Sequence, residues 1–481
     1  MHISPFLLVA ALGSSAFGKK TKGPCACSNA ALEHCLKTKG VPYKVRCDSD
    51  WAEYSTTLNL RLPITPAVIA VPDNTRHVSA AVVCAGRNGV KVQAKSGGHS
   101  YGSYSSGGGI DGQVEIDLRN FNKTVLSSDG TNIAEVGGGV RLGPMATAFS
   151  RAWGLALDHI VELNVVLANG TETRASPKKN ADLYWGLRGG ADSLGIVTSF
   201  FLKTNPAPEE VTNFNYQLNT ITESVEKAVD AFTKLQNYIS NSTAVDRRLS
   251  FALQTHVGPD PSTGAIGKMF LVTGTFLGGL AEYTASIEPE MLRGLPAPTA
   301  RDVQSRDWTT SLAALSPDGS LAGTPLHLAF FANSVTIDAP GMNKAALTSY
   351  FTYMFNGPAP PVPYISSMEL WGGADTQINL PGKDASFAAF PHRNIFWTAN
   401  NQAGAPGFPF PNEGIPFLNG LRDALVKGLD VKTAAYQNLL DTSLTRDQAH
   451  ALYYGDAVLK RLQGLKAVYD SKNVFWNPQS V

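Results

Sequence analysis

Apolar and polar residues alternate through residues 89–95, the period of a half-buried strand, and alternate again from Val114 to Leu118. Upstream, Val68, Ile69, Ala70 and Val71 form a short apolar run stopped by Pro72, Asp73 and Asn74. Val78, Val82 and Ala85 then recur at helical spacing. Residues 68–118 therefore read as strand, helix, strand, loop and strand. Further strands are predicted at Ile133–Val136, Ile160–Leu167 and Gly195–Leu202, with an Asn169-Gly170 hairpin turn and a short helix from Asn180 closed by Gly189 and Gly190. The character changes at Pro206 and Pro208. An amphipathic helix is predicted from about Glu223 to Ile239, its apolar face set by Val225, Val229, Phe232, Leu235 and Ile239. Strand-like runs follow at Leu249–Phe251 and Met269–Phe276. Irregular loops are expected at Pro358–Pro363 and Pro406–Pro416, and a helix carrying Leu459, Leu462 and Leu465 near the end.

A length of 481 residues is enough for two domains, and a formal net charge of +1 gives no electrostatic case for nucleic acid or an acidic membrane surface as partner. Residues 1–18 read as a secretory signal: Ile3–Leu12 is apolar but too short to span a bilayer, and Ala16 and Gly18 are small residues of the kind a signal peptidase reads. Sequons at Asn122, Asn169 and Asn241 fit export, so a secreted, extracellular glycoprotein is expected. The five cysteines are Cys25, Cys27, Cys35, Cys47 and Cys84. In an oxidising compartment they predict one or two disulfides with one thiol over, and no His or Cys cluster completes a metal site.

The octapeptide Lys95–Gly102 carries the candidate chemistry. Gly97 and Gly98 allow a sharp turn whose N–H groups can approach an anion, and His99 is presented between two strands. From these residues alone an ordinary glycine-rich turn with an exposed histidine fits equally well. No Gly-x-Gly-x-x-Gly opens a helix after a strand and no Gly-x-Ser-x-Gly elbow is present, which argues against a nicotinamide dehydrogenase and a serine hydrolase.

Several segments together resemble the FAD-linked oxidases of the vanillyl-alcohol-oxidase type, with a PCMH-type FAD-binding domain: Ala70-Val71-Pro72, Lys95–Gly102, Asn180–Gly190 and Gly195-Ile196-Val197. Tyr453-Tyr454-Gly455 and the Tyr469–Gln479 segment narrow this to the berberine-bridge-enzyme-like branch, in the manner of fungal gluco- and chitooligosaccharide oxidases. The resemblance implies an α+β, two-domain flavoprotein. A discontinuous FAD-binding domain would cover residues 63–205 and 440–481, and a substrate-binding domain over 206–439 would be an antiparallel sheet covered by helices. It also implies FAD bonded covalently through His99. Lys95, Ser96, Gly97, Gly98, Ser100, Tyr101 and Gly102 complete the cofactor loop, Gly195, Ile196 and Val197 lie on the adenine side, and Asn477 and Gln479 lie near the isoalloxazine. Cys35 and Cys84 stand where the family places a disulfide. The implied reaction is hydride transfer from an alcohol, carbohydrate or natural-product hydroxyl to flavin, with O2 reduced to hydrogen peroxide, by a monomer.

Two departures from the family pattern stand out. About thirty residues that relatives place before Ser150, including a second flavin-linking cysteine, are absent. The family's catalytic tyrosine position is Leu439, which cannot take a proton, and its acidic partner falls near Ile365. Tyr454 and Glu369 are therefore the expected catalytic pair, with Tyr436, Tyr453 and His392 also nearby. A tailoring oxidase of a secondary metabolite, or a family member impaired by loss of the segment, are the alternative readings.

Overall fold

The computed structural model describes residues 29–141, 146–259, 266–316, 319–321, 327–380, 382–405 and 410–481. The expected signal segment, Cys25 and Cys27 lie outside them. The strands fall into three sheets that follow one another along the chain. The first contains β1 (Tyr43–Lys44), β2 (Val68–Ala70), β3 (Val92–Lys95) and β4 (Val114–Asp117) in the order β1-β2-β4-β3, with β2, β4 and β3 parallel. Helices α1 (Ala30–Thr38) and α2 (Thr75–Arg87) cover it, burying Leu32, Leu36, Val78 and Val82 against Val68, Val92, Val114 and Ile116. Asn74 starts α2 by accepting the His77 N–H at 3.0 Å. The Cys35–Cys84 disulfide implied by the resemblance is present and ties α1 to α2; Cys47 is disulfide-bonded as well.

The second sheet is antiparallel, with β5 (Thr124–Leu126), β6 (Ile133–Gly137), β7 (Ile160–Val166), β8 (Glu172–Ala175) and β9 (Ile196–Lys203) in the order β5-β6-β9-β7-β8. Asn169 and Gly170 make the expected hairpin turn, with Gly170 at φ +83°. Between β6 and β7 lies α3 (Ala146–Trp153), which contains Ser150, the residue before which a missing segment was expected. The helix expected from Asn180 does break at its glycines: α4 (Ala181–Leu194) has non-helical backbone at Arg188, Gly189 and Gly190, and a second short turn carries it on to Leu194. It kinks at Gly189, which has φ +155° and where a Cβ would meet the Ala389 carbonyl oxygen at 2.2 Å.

The third sheet is antiparallel and eight-stranded: β10 (Val211–Gln217), β11 (Leu249–Pro259), β12 (Ile266–Phe276), β13 (Ala300–Arg306), β14 (Ala329–Asp338), β15 (Tyr364–Leu370), β16 (Ile395–Ala405) and β17 (Thr433–Ala434), ordered β13-β10-β12-β11-β15-β16-β14-β17. The strands seen in the sequence at 249–251 and 269–276 are the starts and ends of longer ones. One face is sealed by α5 (Val225–Ser240), α6 (Lys344–Asn356) and α7 (Gly414–Val426), which pack Phe232, Leu235, Phe351 and Leu421 onto Phe251, Leu253, Met368 and Trp397. Part of the expected 406–416 loop is thus the first turn of α7, where Pro416 needs no N–H partner. Finally α8 (Arg446–Tyr453) and α9 (Gly455–Tyr469) bring the chain back to the first sheet, where the Val92 N–H donates to the Val474 carbonyl at 2.9 Å. No helix among the described residues is long and apolar enough to cross a membrane.

Candidate functional site

Alternation in the third sheet fixes what the face away from the helices presents. With Phe251, Leu253 and Val257 of β11 buried under the helices, Ala252, Gln254 and His256 point the other way. The same count in β14, β15 and β16 turns Phe330, Ser334 and Thr336; Ile365, Ser367 and Glu369; and Thr398, Asn400 and Gln402 to that same face. Register then aligns them in rows across the strands. Gln254 stands opposite Ser367, Ser367 opposite Asn400, and Asn400 opposite Ser334. One row along, Ala252, Glu369, Thr398 and Thr336 line up, and on the other side His256, Ile365 and Gln402. Burial holds the His256 imidazole down at about 4, so it is neutral, with Gln254 at 3.0 Å. Glu369 is therefore the one ionisable acid in these rows.

Its carboxyl is pushed up to about 7, chiefly by burial, which the Trp371 indole and the Asn400 amide oppose. Trp371 Nε1 points at Glu369 Oε2 from 3.5 Å. Trp371 in turn packs edge-on against Tyr436, with ring centroids 4.9 Å apart. The Tyr436 backbone N–H donates to Ser334 Oγ at 3.0 Å, and its hydroxyl accepts from Asn438 at 2.6 Å. Burial raises the phenol, and Glu369 adds to the shift. Leu439 closes the turn that begins at Tyr436 through a backbone bond of 2.9 Å. Three polar atoms on this face, Thr336 Oγ1, Thr398 Oγ1 and Asn400 Oδ1, are buried without a hydrogen-bond partner among the described residues, the state expected where a ligand or ordered water completes the site.

The His99 loop meets this face through Tyr101. Burial raises the Tyr101 phenol to about 12, helped by Glu369 and opposed by Asn400, which lies between the two. Its ring packs edge-on against Phe330 with centroids 5.0 Å apart, and its carbonyl accepts from Asn59 at 2.8 Å. Ser96, Gly97 and His99 are exposed, Gly98 turns the chain at φ +73°, and Tyr101 is the ring beside His99, at 5.6 Å. Ser100 Oγ accepts from the Tyr104 N–H at 3.0 Å, and Gly102 packs tightly against Tyr104. An exposed imidazole with no hydrogen bond among the described residues, on a loop facing unsatisfied polar atoms, fits a cofactor lying between loop and sheet.

The other residues expected at the cofactor are held by the following contacts. Lys95 turns away from the loop: its ammonium pairs with Glu115 and, at 3.4 Å, with Asp117, both buried in β4. Asp117 stands opposite Lys95 and also pairs with Arg119 at 3.0 Å, whereas Glu115 has Lys95 as its cation and is still held up at about 7 by burial. Ile196 and Val197 bury their side chains in two different cores, and a Cβ on Gly195 would meet Val165 at 2.6 Å. Asn477 and Gln479 pin the C-terminal tail: Asn477 donates to Asp192 at 2.8 Å and Gln479 to the Asp441 carbonyl at 2.7 Å. Tyr454 is buried between α8 and α9, its phenol raised well above its usual value by burial, and Asp192 and Tyr453 are the groups that act on it. It is not brought to Glu369. His392, neutral with its imidazole held down at about 4, bonds the Tyr453 carbonyl at 2.8 Å. At the join in α3, Arg151 is fully buried and bonds the carbonyls of Asp246, Leu249, Gly372 and Ala374, clasping the third sheet's end without a carboxylate.

A glycine-turned histidine loop on a mixed α/β half, set against an antiparallel sheet that offers one acid, defines a two-domain flavin-dependent oxidase. Comparison with known proteins agrees. A model for the FAD binding domain matches residues 66–152, and one for berberine and berberine-like proteins matches 435–481. A xylooligosaccharide oxidase of Thermothelomyces thermophilus is 30% identical, covering 100% of this chain and 99% of its own, in an alignment of 525 positions that leaves gaps in this 481-residue chain. A chitooligosaccharide oxidase of Gibberella zeae is 29% identical over 94% of both chains. Among solved structures, the Acremonium strictum glucooligosaccharide oxidase, described with a 6-S-cysteinyl, 8α-N1-histidyl FAD, superposes with a TM-score of 0.82 at 27% identity, covering 94% of this chain and 99% of that one. The chain belongs to the berberine-bridge-enzyme-like FAD-linked oxidases, among the oligosaccharide oxidases.

Proposed function

We propose that the protein is a secreted oxidase of neutral saccharide hydroxyls, with Glu369 as the group that takes the hydroxyl proton and His99 as the covalent anchor of FAD. The observation that carries this is the Glu369 carboxyl, raised to about 7, in rows of uncharged amides and hydroxyls that face the His99 loop. Gln254, Ser367, Asn400 and Gln402 offer paired donors and acceptors to a polyol, and no fixed charge among them selects an ionic substrate. Trp371 and Tyr436 supply the aromatic wall against which a sugar ring packs. Glu369, ionised above about pH 7, accepts the proton from the substrate hydroxyl, and Asn400 and Trp371 hold it in place. FAD, when bound, supplies the hydride acceptor and passes the electrons to O2, giving hydrogen peroxide. The relatives' oligosaccharide names, and a related xylooligosaccharide oxidase solved with xylobiose, support the substrate class. The histidyl linkage in the glucooligosaccharide oxidase supports the role of His99. Leu439 favours a second reading, a tailoring oxidase of a non-sugar natural product.

The test is anaerobic mixing of the purified full chain with neutral oligosaccharides and, separately, with phenolic and polyketide alcohols, following the visible flavin band. Bleaching by a saccharide, then peroxide on admitting air, is expected. Bleaching only by the non-sugar alcohols would hand the site to the second reading.

A further inference from the structure

Strand β5 is an unprotected edge. Thr124, Val125 and Leu126 are all exposed, Val125 by 59% and Leu126 by 62%, and the strand ends its sheet, pairing only with β6. Bare apolar edges of this kind recruit further strands and are ordinarily blunted by charge, proline or a covering element. Here the covering group is written into the preceding residues. Asn122 is exposed, and the carbonyls on either side of it, of Phe121 and Lys123, accept from Gly139 at 3.0 Å and Gly137 at 2.9 Å. This extends the β5–β6 pairing back past Asn122, so the period of two puts Asn122, Thr124 and Leu126 on one side, about 13 Å from first to last at ~3.3 Å per residue. Asn122-Lys123-Thr124 has the acceptor pattern for N-glycosylation. The asparagines of the other two sequons are exposed but already engaged locally: Asn169 accepts from Thr171 N at 2.9 Å, and Asn241 from Thr243 N at 3.0 Å and Thr243 Oγ1 at 2.7 Å. Asn122 makes no side-chain hydrogen bond among the described residues.

We infer that Asn122 carries an N-linked glycan that lies along β5 and shields its open edge. The Asn122 amide nitrogen bonds to the anomeric carbon of the first N-acetylglucosamine of a lipid-linked oligosaccharide. The bond from that carbon to the lipid diphosphate breaks, and the amide proton is released. The assignment rests on the export proposed above. The experiment is secretion of the full chain from a yeast host, with peptide mass spectrometry before and after endoglycosidase H, alongside Asn122→Gln and Thr124→Ala. The expected result is a hexose-rich mass on the Asn122 peptide, lost in both variants, and light scattering on concentration that rises in both and falls again when Leu126→Lys is added. An unmodified Asn122 in protein recovered from the medium would overturn the glycan while leaving export intact. Protein retained and unmodified inside the cell would overturn both.

Discussion

Replacing Glu369 with glutamine should separate stability from activity, because the same buried carboxyl governs both. The folded protein holds its proton up to about pH 7, whereas the unfolded chain releases it near 4.5. The sign follows from linkage: a group with a raised folded-state pKa contributes stability that is fully present below 4.5 and is lost as pH rises through about 7. At 1.36 kcal/mol per unit, a shift from 4.5 to about 7 sets a ceiling of about 3 kcal/mol, which partial solvent exposure reduces. Glutamine fills the same volume without a charge to bury. Glu369→Gln should therefore match the wild type at pH 4.5 and exceed it by roughly 1–3 kcal/mol at pH 8. Denaturant unfolding at both pH values reads this directly, and the subtraction cancels Glu115, whose carboxyl is raised similarly. In the same variant, flavin reduction by substrate should slow by about 10²–10⁴-fold, and the wild-type rate should climb with pH around 7. A stability difference that does not change between pH 4.5 and 8 would refute the buried carboxylate. A gain in stability with unchanged reduction rate would refute only its role as base.

His99→Ala should give acid-precipitated protein without yellow colour, where wild type keeps it; colour that survives would remove His99 as the anchor. Tyr454→Phe should leave the rate of flavin reduction within about twofold, since its hydroxyl lies in the α8–α9 core away from Glu369, and a loss as deep as that of Glu369→Gln would contradict this placement. His256→Gln should raise KM without altering the pH profile between 5 and 8, because the imidazole is already neutral there. Gly108→Ala should lower unfolding stability by about 2–3 kcal/mol, since Gly108 has φ +82° and a Cβ there would sit 2.3 Å from the Trp476 carbonyl oxygen.

The turn that presents His99 between two strands was legible because glycines, histidine and flanking alternation all fall within one short window, while its tie to a flavin came only from the family resemblance. Glu369 could be singled out but not explained from sequence. Its partners, Asn400 in β16 and Tyr101 in the loop, reach it only through strand register and the docking of two domains. The sequence showed strand character only at Leu249–Phe251, so the rows built on Gln254 and His256 were out of reach, and nothing local says which strand lies beside which. The family resemblance pointed Lys95 toward the cofactor, but its ion pairs with the buried Glu115 and Asp117 come from strand pairing and were not read from the sequence. The helix break at Gly189 and Gly190 was legible, whereas the short turn beyond it and the Ala389 carbonyl pressed against Gly189 were not.

The return of the C-terminal tail to β3 sets a timetable for synthesis. Lys91 donates to the Asn473 carbonyl at 2.6 Å across a separation of 382 residues. At ~5–20 residues per second, β3 emerges from the ribosome about 20–75 s before the segment that completes its sheet. Throughout that interval the histidine loop hangs from a half-built edge, while the second and third sheets, each drawn from one continuous stretch of chain, can close on their own. The edge that carries the His99 loop is thereby completed only after the whole third sheet has been synthesised.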